Sequence, residues 1–210
     1  MIRGFIIIIF FLNLNLLAKA DDIRDFEMEG ISVEDSLLDH FSKEEISNAL
    51  QMKYPKSDKY TKYQFKINSS EYDNISFHIK KNDPKFKIYE ISGGTFFKKN
   101  FSKCKKHQTI VINDLKSITQ NLIEDSYRFY YENLEDGKSF ADVVDFKYSN
   151  GDLIRMWCVN WSEKVEKNLN YGDNFSISLT PIKHMNWINN EAYWLSLSTD
   201  PLISLCSPII

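Results

Sequence analysis

The chain is poor in glycine, proline and cysteine, and each shortage removes a class of protein. Seven glycines and five prolines in 210 residues exclude collagen-like, linker-rich and low-complexity architectures. No G-x-G-x-x-G or G-x-x-x-x-G-K loop is present to cradle a phosphate. The G-x-S-x-G elbow of serine hydrolases is absent too, and Ile91-Ser92-Gly93-Gly94 reads better as a bend or bulge in a strand. The three cysteines, Cys104, Cys158 and Cys206, include no C-x-x-C pair, which excludes thioredoxin-type and zinc-ribbon spacings. The four histidines, His40, His78, His107 and His184, lie far apart in the sequence. They form no linear ligand spacing, so neither a metal nor a cofactor is expected. Lysine is plentiful but dispersed among acids, and a net charge of −3 offers no continuous positive surface to release counterions from nucleic acid.

What is present begins with a secretory leader. Arg3 precedes an apolar stretch from Gly4 to Phe11, which resumes through Leu12, Leu14, Leu16 and Leu17 and ends at Ala18-Lys19-Ala20. This order of charge, apolar run and small residues predicts cleavage after Ala20. Asn13 and Asn15 interrupt the run, leaving it short of the roughly 20 apolar residues of a membrane-spanning helix. No cysteine stands at the cleavage point to accept a lipid. The expected mature protein begins at Asp21, has no stable membrane anchor, and is periplasmic or secreted. Five N-x-S/T sequons, at Asn68, Asn74, Asn100, Asn160 and Asn174, would carry glycans only in a eukaryotic secretory source.

Hydrophobic periodicity then divides the chain. Ser32-Val33-Glu34-Asp35 and Ser42-Lys43-Glu44-Glu45 each place a hydroxyl three residues before an acid, which predicts two capped helices. Val33, Leu37, Leu38 and Phe41 would line the first, and Ile46, Ala49 and Leu50 the second. From Tyr60 the period becomes two: Tyr63, Phe65 and Ile67, then Ile75, Phe77 and Ile79, alternate with polar residues. With Phe86 to Phe97 these predict three antiparallel strands having one wet face. Cys104, His107, Val111, Leu115, Ile118 and Leu122 recur at helical spacing, and Tyr127, Tyr130, Tyr131 and Leu134 extend that helix or start another. Phe140 to Tyr148 runs into Asn150-Gly151, a strong hairpin signal. Leu153 to Trp161, apolar on both faces, is expected as a central strand, and Phe175 to Thr180 as the last. The tail beyond Asp200 contains Pro201 and Pro208 and is expected as an irregular strap.

The expected fold is α+β, a helical pair packed on an antiparallel sheet, with duplication as ααβββ-ααβββ left open by two short echoes. A unit over residues 21–100 and another over 101–210 would pack as one globular body. Phe26-Glu27 with Gly30 is echoed by Tyr89-Glu90 with Gly93, and Phe41-Ser42-Lys43 by Phe101-Ser102-Lys103. Within residues 22–97, the segment Glu29-Gly30-Ile31-Ser32-Val33-Glu34-Asp35-Ser36-Leu37-Leu38 resembles the entry to the SmpA/OmlA (BamE-like) envelope domain and to the tandem-repeat β-lactamase-inhibitor fold. It is also similar to uncharacterised small exported bacterial proteins. The resemblance implies helices against an antiparallel sheet, and either an envelope role or inhibition of a secreted enzyme. BamE-like members are lipid-anchored, and the cysteine this requires is missing here.

Chemistry-bearing residues are few. Cys104 and His107 share a helix face, yet Val111 and Leu115 share it too, and a thiol in apolar packing is inert. Cys104 paired with Cys158 would join the long helix to the strand beneath it; Cys206 with Cys158 is the alternative. Asp142 with Asp145, and Asp125 with Glu132, read as solvated faces. The unusual feature is tryptophan at positions 157, 161, 187 and 194. Trp157, Trp161, Trp187 and Trp194 either build core or form a binding face for a peptide, glycan or protein. The function expected is therefore an exported, non-enzymatic module binding a protein or peptide. The alternatives are a small secreted hydrolase whose site assembles only in the fold, or an inhibitor of a secreted enzyme.

Overall fold

A computed structural model describes residues 22–67, 69 and 71–192. The leader, Asn68, Trp194, Cys206 and the proline-containing tail lie outside the described residues.

The described chain opens with a 3-10 turn, Ile23–Asp25, whose ends are tied by Asp22 and Asp25. A two-residue hairpin follows, β1 (Glu27–Met28) and β2 (Ile31–Ser32), turning through Glu29 and Gly30, both at positive φ. The first predicted helix does not form. Only one 3-10 turn, Leu37–Asp39, occupies that segment. Its backbone is already engaged: Glu34 N donates to Ile88 O, Leu37 N to Phe86 O, and Ile88 N to Asp35 O, each at 2.9 Å. Amides spent on another part of the chain are not available to a helix. The second predicted helix, α1 (Lys43–Asn48), does form, with Ser42 and Glu45 capping each other's backbone. It stops before Leu50, which starts a strand rather than closing a helical face.

Eight strands then build one antiparallel sheet: β3 (Leu50–Lys53), β4 (Tyr60–Lys66), β5 (Asn74–Lys80), β6 (Ile88–Lys98), β7 (Ile123–Tyr130), β8 (Phe140–Lys147), β9 (Leu153–Asn160) and β10 (Asp173–Thr180). Their order is β3-β4-β5-β6-β10-β9-β8-β7. The fold is thus α+β with an antiparallel sheet, as expected, but not ααβββ twice. Helix α2 (Phe101–Ile118) bridges two four-strand stretches, and α3 (Glu163–Leu169) interrupts the second between β9 and β10. Residues 127–130, expected as helix, are the end of β7, paired with Val143 through Phe140 of β8. Strand β9 is interior, though the sheet's centre is the β6–β10 pair.

The pairing registers sort every side chain onto one of two faces. On the α2 face lie Ile75, Phe77, Ile91, Phe175, Ile177, Leu179, Ile154, Met156, Val144 and Phe146, all in one apolar core. Cys104 of α2 is disulfide-bonded to Cys158 of β9, and Gln108 of α2 donates to the carbonyls of Asp142 and Met156. The opposite face is polar in sequence but not wet. Lys62, Gln64, Asn74, Ser76, His78, Glu90, Ser92, Ser176, Ser178 and Thr180 are all buried there. The segment that includes α4 (Ile182–Trp187) and the π-helical turn Ile188–Ala192 packs at one end of this face, with Tyr54, Tyr60 and Tyr89 beside it. A second apolar cluster of Tyr131, Val143, Trp157, Val159, Trp161 and Val165 lies at the other end. No described helix is long and apolar enough to cross a membrane.

Candidate functional site

Strand register lays the polar face out in rows. One row runs Lys62, His78, Glu90 across β4, β5 and β6, and Thr180 of β10 extends it by donating to Glu90 Oε2 at 3.2 Å. The next runs Gln64, Ser76, Ser92, Ser178, Arg155, Asp145 from β4 to β8. The third runs Lys66, Asn74, Gly94, Ser176, Trp157. Strand alternation explains why these residues share a face, and burial explains why they bond to one another instead of to water. Arg155 holds Asp145 through two hydrogen bonds of 2.7 and 2.8 Å. Asp145 is therefore a buried half of an ion pair, not part of a solvated face.

Over the second and third rows, and the Lys62 end of the first, sits a pocket of about 480 Å³. Its floor is Lys62, Gln64, Asn74, Ser76, Ser92, Gly94, Asn174 and Ser176, and Trp157, Trp161 and Tyr171 form one wall. The exposed Lys66, Asp73, Phe96, Lys98 and Asn170 stand at its rim. Gly94 sets the depth, because a Cβ there would come within 3.1 Å of the Asn74 amide. The aromatic wall is anchored from behind: Trp161 N donates to Asp173 Oδ1 at 3.0 Å, and the Trp161 ring packs on Tyr131 and Tyr171. Trp157 Nε1 is buried and has no hydrogen-bond partner among the described residues.

Beside the pocket, the first row carries a second cluster. His78 Nδ1 lies 2.6 Å from His184 Nε2, and His78 Nε2 lies 2.6 Å from the Tyr54 hydroxyl. Glu90 Oε2 stands 3.7 Å from the first nitrogen and 3.8 Å from the second. All three side chains are at most 2% exposed. Burial, aided by His184 and Lys62, holds His78 well below the usual imidazole value. Burial, with Lys59, pushes His184 down to about 3. Burial pushes Glu90 up to about 7, opposed by Lys62, Thr180 and Arg155. A deep, nearly dry site favours the neutral form of each group.

No family model, curated protein or solved structure matches this chain. Its function has to be argued from these residues.

Of the tryptophans singled out in the sequence, Trp157 and Trp161 are side by side on the pocket wall. Trp187 is elsewhere, packed on His184, Tyr54 and Tyr60 with its Nε1 donating to Ser57 Oγ at 3.2 Å. It roofs the histidine cluster and faces no solvent. Cys104 and Cys158 bond to each other, and His107 packs against Phe97 and Phe175. Linear spacing missed the His78, Glu90 and His184 cluster because 106 residues separate its histidines. The only sequence signal was polar residues alternating in strands otherwise rich in apolar ones.

Proposed function

We propose that this protein is an exported, non-enzymatic binding module whose pocket takes a small polyhydroxylated anion, an acidic sugar being the chemical type. The observation that carries the reading is the composition of the pocket: amides and hydroxyls on the floor, indole rings on a wall, and lysines at the floor and rim against one rim aspartate. Amides and hydroxyls exchange hydrogen bonds with hydroxyl groups. Indole faces cover the apolar side of a sugar ring. Lys66 and Lys98, exposed at the rim, supply charge for a carboxylate or sulfate. The volume is that of a small-ligand site, and the tryptophans are buried rather than spread over a flat surface, which favours a small ligand over a broad protein interface. Export follows from the leader sequence and places the ligand in the periplasm or outside the cell.

The exposed Phe96 at the rim, 37% accessible, favours one second reading. A secreted or envelope protein partner would insert an acidic side chain or carboxyl terminus into the same pocket.

Tryptophan fluorescence separates the readings. Titration with glucuronate should quench or shift the emission of Trp157 and Trp161, and glucose at equal concentration should act at least ~10-fold more weakly. Lys66→Glu combined with Lys98→Glu, both at the exposed rim, should weaken glucuronate at least ~10-fold while leaving the circular dichroism unchanged. Equal response to the neutral and acidic sugars, or to neither, would overturn the anionic-sugar reading.

A further inference from the structure

We infer that His78, Glu90 and His184 form a binding site for one first-row divalent cation, independent of the pocket's ligand. Three potential ligand atoms converge there: His78 Nδ1, His184 Nε2 and Glu90 Oε2, separated by 2.6, 3.7 and 3.8 Å. A point in the plane of three atoms so spaced lies about 2 Å from each, the length of a zinc–imidazole or zinc–carboxylate bond. The carboxylate is too distant to hydrogen-bond either imidazole, yet it faces both from within 4 Å. Glu90 Oε2 accepts one hydrogen bond, from Thr180, and the other carboxylate oxygen, Oε1, is buried with no hydrogen-bond partner among the described residues. Leaving a buried carboxylate this incompletely bonded is costly unless a cation completes its surroundings.

The surroundings supply the remaining parts of such a site. The Tyr54 hydroxyl lies 2.6 Å from His78 Nε2 and 3.4 Å from its Nδ1, and the Tyr54 ring meets the imidazole edge-on, so Tyr54 helps hold the His78 ring in place. His184 comes from α4, while His78 and Glu90 are cross-strand neighbours on β5 and β6. A cation would therefore bind the α4 segment to the sheet. Trp187, Tyr60 and Tyr54 pack around the imidazoles and exclude water. Two nitrogens and one carboxylate oxygen suit zinc, cobalt or iron(II) rather than calcium or magnesium, which prefer all-oxygen shells. Lys62, in register with His78 on β4, together with Arg155 near Glu90 and Lys59 near His184, opposes metal entry. Glu90 supplies the opposing negative charge.

The test uses the protein expressed from its full sequence, with Cys104 and Cys158 oxidised, stripped with EDTA and dialysed. Cobalt(II) is offered both to the native protein and during refolding, and zinc is then used to displace it. The expected result is one equivalent of cobalt with visible ligand-field bands, lost on adding one equivalent of zinc. Glu90→Gln and His184→Gln should each weaken binding at least ~100-fold. His40→Gln, at an exposed histidine, should leave it unchanged. Failure of the wild-type protein to take up cobalt by either route overturns the site, whatever the variants do. So does binding that survives in folded Glu90→Gln and His184→Gln proteins. The glucuronate titration is repeated on the stripped protein, so failure there and failure here are separate results.

Discussion

Asp173 shows how much one buried side chain depends on its position. It starts β10, accepts a hydrogen bond from Trp161 N at 3.0 Å, and so holds the end of β9 and the pocket's indole wall in place. Burial raises its pKa to about 6, with Glu166 adding to the shift, while the amides of Trp161 and Phe101 and the ammonium of Lys99 oppose it. An acid whose folded pKa lies above its unfolded value near 3.8 stabilises the fold most below that unfolded value. The contribution is lost as pH rises through about 6. Asp173→Asn keeps an acceptor for the Trp161 amide but cannot ionise. Its stability relative to wild type should therefore improve between about pH 4 and pH 7, by on the order of 2 kcal/mol, in urea unfolding curves. A difference that does not change with pH would contradict the assignment. At this scale the sequence could name Trp157 and Trp161 as unusual, but it could not show them sharing a wall, since Trp187 looked the same and became a roof over His184.

Among the elements, local signals succeeded where no distant backbone competed. The alternation in β4, β5, β8 and β10 and the helical spacing in α2 were legible because each segment's pattern fits only one period. The Ser42 and Glu45 cap is equally local, and α1 is only six residues long, so the cap accounts for a large share of its end bonding. Ser42→Ala should cost about 1 kcal/mol in global stability, and Ser42→Asp, another good cap, should restore most of it in the same denaturation assay. The matching signal at Ser32 and Asp35 misled for a physical reason. Asp35 does accept from Ser32 N, at 2.8 Å, but Glu34 takes a positive φ of 81° and the surrounding amides bond to the residues at the start of β6. The tyrosines at 127 and 130 misled differently: a spacing of three fits a helix face, and only pairing with β8 makes them strand residues.

Among the described residues the dominant element is an eight-stranded sheet joined at β6 and β10, with α2 fastened across its apolar face by the Cys104–Cys158 disulfide. That bond closes a loop with a sequence separation of 54 residues, which contains most of α2, all of β7 and β8, and most of β9. Constraint of the unfolded chain over such a loop is worth roughly 4 kcal/mol at most. The Cys104→Ala/Cys158→Ala protein should lose about 2–4 kcal/mol in urea unfolding, and reduction of the wild type should have a similar effect. Equal stability of the oxidised and reduced proteins would contradict this role. The sequence by itself determined the α+β class, the alternating strands such as β4, β5 and β10, and the helix over α2, because periodicity, capping and turn chemistry act over a few residues; the choice of Cys104 as the partner of Cys158 came from the structure. Only the tertiary structure decided that the polar face is buried, that four separate strands floor one pocket, and that His78, Glu90 and His184 converge. Register and burial arise from pairings between residues far apart in the chain, and no short stretch of sequence carries that information.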